Sequence, residues 1–127
     1  WKILHNIYPT NILLHKMGIA PSEKCTACNA DEKDYIEHFF FTCSKINGLW
    51  EHVKRIIVLR TGQTLNITTD IALLGFIGES KHTGTINHLL TLAKMCISKY
   101  RYGEGFPIEL IFERELMIRD QLIPAVN

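Results

Sequence analysis

Cys25, Cys28, His38 and Cys43 stand in the order C-x2-C-x9-H-x4-C, and this spacing constrains the chain more than any other feature. A gap of two residues lets one tight turn direct the Cys25 and Cys28 sulfurs to a single ion. Thiolate and imidazole ligands together suit tetrahedral zinc. Asn29, which tolerates a left-handed backbone, fits directly after that turn. His38 and Cys43 must then complete the tetrahedron from the far side. They are five positions apart, so a regular α-helix alone would not align them, and the spacing predicts a helix terminus between Phe39 and Cys43. Tyr35, Ile36, Phe39 and Phe40 give the His38 helix an apolar face that anchors it to the rest of the chain. Four protein ligands leave no position for a substrate water. The metal is therefore expected to be structural, supplying part of the folding free energy.

Two other readings of these residues compete. One makes Cys25-Thr26-Ala27-Cys28 a redox pair. That motif usually opens a helix after a strand, a setting absent from this pattern, and it leaves His38 and Cys43 unexplained. The other makes all four residues ordinary core or surface groups. Cys96 falls on the apolar side of a helix and is expected to be a buried small hydrophobe. His5, His15, His52, His82 and His88 have no comparable partners. Glu113 and Glu115 beside Arg114 and Arg119 read as a solvated helix face, with i,i+4 support between Glu115 and Arg119. No Ser/His/Asp order, P-loop or dinucleotide glycine pattern occurs, so neither a catalytic set nor a small-molecule substrate is expected.

A chain of 127 residues with 46% hydrophobic content fits one modest domain, and no internal repeat or low-complexity linker divides it. Residues 1–20 read as two short helices, 21–43 as the zinc-binding segment, and 44–127 as a helical body. The first helix carries Trp1, Leu4 and Tyr8 before Pro9; the second starts at Thr10 and closes at Gly18. The stretch Asp31 to Phe41 is expected to be helical. Ser44 suits the N-cap of a helix with Ile46, Leu49, Trp50, Val53 and Ile57 on its apolar face and Gly62 at its end. A brief turn from Thr68 or Thr69 stops at Gly75. A longer helix from about Thr85 presents Ile86, Leu89, Leu90, Ala93, Ile97 and Tyr100, with Asn87, Thr91, Lys94 and Ser98 opposite. A last helix after Pro107 offers Ile108, Ile111, Phe112, Met117 and Leu122, and Pro124 marks its stop. The fold is accordingly all-α, a small helical domain built around a CCHC zinc-knuckle-like site. No stretch reaches the roughly 18 apolar residues of a membrane span, and no membrane partner is expected. The chain opens on Trp1 inside an apolar pattern, without a signal peptide, and reads as a piece of a longer polypeptide.

Net charge is +1, but basic and acidic blocks alternate: residues 81–103 hold four basic residues and no acid. Such segregation can build a basic face on a nearly neutral protein. Lys45, Lys54, Arg55 and Arg60 share one expected helix; Lys81, Lys94, Lys99 and Arg101 cluster with Tyr100 and Tyr102 on another. Lys54, Arg55, Lys94, Lys99 and Arg101 are candidate phosphate contacts, and Tyr102 is a candidate for stacking a single-stranded base. Solvated charges and packing tyrosines are the alternative.

The ordered series Trp1, Tyr8-Pro9-Thr10-Asn11, Leu14, Met17-Gly18-Ile19, Cys25, Cys28, Glu37-His38-Phe39-Phe40-Phe41, Cys43 and Trp50 resembles the zinc-binding C-terminal region of reverse transcriptases from LINE-type (non-LTR) retrotransposons. Leu73-Leu74-Gly75 and the Lys94–Tyr102 helix end are similar to the family's downstream part. The resemblance implies zinc held by Cys25, Cys28, His38 and Cys43. It also implies a position after the polymerase of the same polypeptide, near template RNA or target DNA, with the parent protein in a cytoplasmic ribonucleoprotein and the nucleus. No Tyr/Phe-x-Asp-Asp carboxylate pair is present, so this segment is expected not to copy a template itself. Nine residues precede His38, a longer gap than in the retroviral knuckle, so that motif's base-stacking residues are not carried over. Two functions follow as expectations: a non-catalytic nucleic-acid-binding module, or a structural cap that braces the upstream polymerase without touching nucleic acid.

Overall fold

Five α-helices carry most of the described residues. They are α1 (Asn11–Lys16), α2 (Asn47–Thr61), α3 (Thr69–Leu74), α4 (Thr83–Tyr100) and α5 (Ile108–Leu122), as seen in a computed structural model. The structure describes residues 10–20, 22, 24, 25, 28, 33, 35–78, 80–100 and 107–122. The helix expected before Pro9, Arg101, Tyr102 and Pro124 lie outside these residues. Among the described residues there is no strand, and the isolated antiparallel bridge Lys24–Lys33 stands alone. No helix among them is long and apolar enough to cross a membrane.

Thr10 precedes α1 in an extended conformation, and Gly18 follows it at φ +75°. There the Ile19 N–H reaches the Leu14 carbonyl at 2.8 Å and the Gly18 N–H reaches that of His15 at 3.0 Å. This left-handed closure satisfies carbonyls that a helix end leaves open, and it is the role glycine serves best.

The helix expected from Asp31 begins later. Lys33 is paired with Lys24 in an isolated antiparallel bridge. Helical backbone starts at Ile36 and widens into a π-helical turn over His38–Thr42. Within its anchor, Ile36, Phe39 and Phe40 are buried, whereas Tyr35 is exposed. Cys43 is extended (φ −62°, ψ 129°) and opens a 3-10 turn, Ser44–Ile46, whose Ile46 N–H bonds the Cys43 carbonyl at 3.1 Å. Ser44, expected as the N-cap, therefore lies inside the turn, and Cys43 takes the capping position.

Helix α2 follows without a break and buries Leu49, Trp50, Val53, Ile56 and Ile57. Gly62, at φ +70°, ends it. Helices α2, α4 and α5 pack on one another, and α3 packs on α4 and on the π-helical turn. On α4 the expected stripe is buried from Ile86 to Ile97, joined by Leu92 and Cys96, while Tyr100 at the helix end is exposed. The helix starts at Thr83 rather than Thr85, with the Thr83 hydroxyl donating to the Gly78 carbonyl at 2.7 Å. On α5, Ile108, Phe112 and Leu116 face inward at i, i+4, i+8; Met117, a further 100° round the helix, is exposed. The buried side chains form one connected cluster that runs from Cys25 to Leu116.

The polar edge of α4 is less solvated than its composition suggests. Asn87 accepts the Phe76 N–H at 2.6 Å and donates to the Phe76 carbonyl at 3.0 Å. Lys94 Nζ donates to the Leu73 carbonyl at 2.9 Å. Both hold the end of α3 against α4. Across α5, Glu113 Oε1 lies 2.9 Å from His52 Nε2 on α2, and Arg119 Nη2 approaches Met95 Sδ at 3.4 Å. Neither Glu113 nor Arg119 is thus part of a purely solvated face.

Candidate metal centre

The chain brings Cys25, Cys28, His38 and Cys43 together from three local structures. Cys25 and Cys28 lie between the bridged residues Lys24 and Lys33, His38 at the start of the π-helical turn, and Cys43 at the corner after it. All four are buried, and their ligating atoms lie within 4.8 Å of one another. The π-helical turn resolves the spacing problem posed by His38 and Cys43. In an α-helix, residues five apart point about 140° away from each other. Here the Cys43 N–H bonds the His38 carbonyl at 3.1 Å, an i→i+5 closure that takes one more residue into the turn and lets both side chains reach one point. The helix does end before Cys43, as the spacing predicts, but it aligns its ligands by widening first.

The distances test whether a metal fits. Zinc bonds of about 2.3 Å to sulfur and about 2.0–2.1 Å to nitrogen define a tetrahedron with sulfur–sulfur edges of about 3.8 Å and sulfur–nitrogen edges of about 3.6 Å. Cys25 Sγ and Cys43 Sγ are 3.9 Å apart, and Cys28 Sγ lies 3.4 Å from His38 Nε2. Both separations match tetrahedral edges, and 3.9 Å is far beyond a sulfur–sulfur bond. None of the four cysteines is in a disulfide. Three thiolates and a neutral imidazole around a divalent cation form a closed site of charge near −1, with no open position for a reacting water. Such a site binds, orients and stabilises.

Its supports come from the neighbouring side chains. His38 Nδ1, the ring nitrogen that faces away from the sulfurs, lies 3.1 Å from Thr42 Oγ1. The Trp50 indole N–H donates to the Phe40 carbonyl at 2.8 Å, and its ring sits 5.7 Å from that of Phe41. Phe39 and Phe40 pack edge to face at 4.8 Å. Thr42 is not marked by the ligand pattern in the sequence; its i,i+4 position after His38 is the signal that could have found it.

The candidate phosphate contacts fall in different environments. Lys54 and Arg55 lie side by side on the outer face of α2, where with Glu51, Val58 and Leu59 they line a shallow cleft. Arg55 Nη2 is 3.4 Å from His52 Nδ1. Lys99 is exposed near the end of α4. Lys94 is half-buried and turned toward Leu73, and burial holds its pKa below the usual lysine value. Cys96 is fully buried, as expected, and its thiol is pushed up to about 11, chiefly by burial and then by the Glu115 charge.

Residues 1–50 match the family model described as zinc-binding in reverse transcriptase. The matched span contains all four ligands. No curated protein and no solved structure matches the chain. Ligand chemistry, the two separations that match tetrahedral edges and the family match agree on zinc as the metal of this site. That family model describes a zinc-binding region of reverse transcriptases rather than a catalytic one.

Proposed function

We propose that the chain is a non-catalytic, zinc-stabilised module that binds nucleic acid, RNA or target DNA, on the C-terminal side of the polymerase in a LINE-type (non-LTR) retrotransposon reverse transcriptase. The observation that carries this reading is the coincidence of the reverse-transcriptase zinc-binding match with a convergent Cys3His cluster built directly onto α2, whose outer face bears Lys54 and Arg55. Through Cys43, the metal-bearing turn runs without a linker into the helix that presents these two cations. The module would then hold phosphates beside the polymerase of the same polypeptide, with Lys99, Arg101 and Tyr102 extending the contact. The parent protein would work in a cytoplasmic ribonucleoprotein and in the nucleus.

The test is binding of the zinc-loaded protein to single-stranded RNA and to duplex DNA over a salt series. Phosphate contacts predict affinity that falls linearly on a log–log plot against salt. Absence of binding to either at low salt would refute the reading.

A second function has its own support. Leu59 and Met117 are 83% and 61% exposed and line a cleft between α2 and α5 together with Arg60 and Asp120. A cap that braces the polymerase through this apolar strip would bind it with little dependence on salt.

A further inference from the structure

We propose that Thr42 is the positioning residue that decides which nitrogen of His38 takes the zinc ion, and that its hydroxyl thereby sets a measurable part of the metal affinity. The proposal rests on the zinc assignment and is independent of any nucleic-acid role. A neutral imidazole offers one bare nitrogen to a metal, while the other carries a proton that needs an acceptor. Nε2 faces the sulfurs, 3.4 Å from Cys28 Sγ; Nδ1 faces Thr42 Oγ1 at 3.1 Å. His38 is only 5% exposed, so water gives its Nδ1–H little alternative, whereas Thr42 is on the surface and can turn its own hydroxyl proton to solvent. The Nδ1–H then donates to Oγ1 and the Nε2 lone pair is aimed at the ion, whereas the opposite tautomer would turn an N–H, not a lone pair, toward it.

The chemical identity of the acceptor matters as well. Three thiolates already make the loaded site negative, and a carboxylate beside His38 would add to that charge. A hydroxyl orients the ring without doing so. Thr42 is also the last residue of the π-helical turn and the neighbour of Cys43, so the i→i+5 closure that brings Cys43 to the ion also places the hydroxyl against the ring.

Thr42→Val keeps the shape of the side chain and removes the acceptor; Thr42→Ser restores the acceptor. Zinc affinity of the full chain, measured by competition with a chromophoric chelator, should fall about 10–100-fold in Thr42→Val and stay near wild type in Thr42→Ser. Nitrogen-15 spectra of the loaded wild type should show His38 bound through Nε2 with a proton on Nδ1, and that proton should exchange faster with solvent in Thr42→Val. Thermal unfolding of the zinc-free proteins should be alike in all three, which separates loss of positioning from loss of folding. Unchanged zinc affinity in Thr42→Val, or coordination through Nδ1 in the wild type, would overturn the proposal. A wild-type chain that takes up no zinc would overturn the metal assignment itself, an outcome distinct from zinc binding that ignores Thr42.

Discussion

The indole N–H of Trp50 donates to the main-chain carbonyl of Phe40 across 2.8 Å, tying α2 to the turn that carries His38 and Cys43. Trp50→Phe keeps an aromatic ring in the core but removes this hydrogen bond. The zinc-loaded variant should be less stable by about 1–3 kcal/mol in denaturant unfolding. An unchanged midpoint would mean that the hydrogen bond contributes nothing.

Gly75 has φ +100° and ψ 167°, a region that essentially only glycine occupies. A Cβ there would also meet Asn87 Oδ1 at 3.1 Å. Gly75→Ala is therefore expected to destabilise by about 1–3 kcal/mol, mostly through the backbone. Repeating the substitution in an Asn87→Ala background removes the steric clash but not the backbone cost. Most of the destabilisation should persist there in a double-mutant cycle read by unfolding.

Lys54 and Arg55 differ from Lys94 in what their removal should do. Replacing Lys54 and Arg55 with Ala should weaken single-stranded RNA binding and reduce the log–log salt slope by about 0.7 for each phosphate that is no longer neutralised. Lys94→Ala should mainly cost stability, about 1 kcal/mol, because the Leu73 carbonyl is left without its donor. A variant of Lys54 and Arg55 with an unaltered slope would remove the outer face of α2 from the interface.

Cys96 and Lys94 should give stability opposite dependences on pH in the alkaline range. The folded state holds the Cys96 proton more tightly than the unfolded chain, its pKa having moved from 9.0 to about 11. That contribution is complete below about 9 and is lost as pH rises through about 11. Lys94, lowered from 10.5 by burial, holds its proton less tightly when folded, so its contribution rises with pH toward that value. Thiol alkylation of the zinc-loaded protein at about pH 8, below the ordinary thiol pKa, should spare Cys96 until the chain unfolds. Rapid labelling of Cys96 in the folded form would contradict its placement.

The ligand set, the helical class and most of the α2 and α4 stripes are legible in the sequence because they rest on spacing alone: thiol and imidazole positions for the metal, and a 3.6-residue repeat for the core. What is not legible depends on partners distant in sequence. Lys33 pairs with Lys24 in an antiparallel bridge, a pairing that local propensity does not encode. Leu116 is inside and Met117 outside because α5 is gripped by α2 and α4 together, and both residues suit an apolar face equally. Asn87 and Lys94 read as solvent-facing since nothing local announces that the end of α3 will settle on them. The misalignment of His38 and Cys43 is visible, but a wider helical turn is not a pattern in residue types; it is what the backbone does when two ligands five apart must meet.

Because Cys43 closes the π-helical turn and opens the segment that becomes α2, the metal centre stands at the root of that long helix, and the position of its outer flank is set from the same corner of the chain.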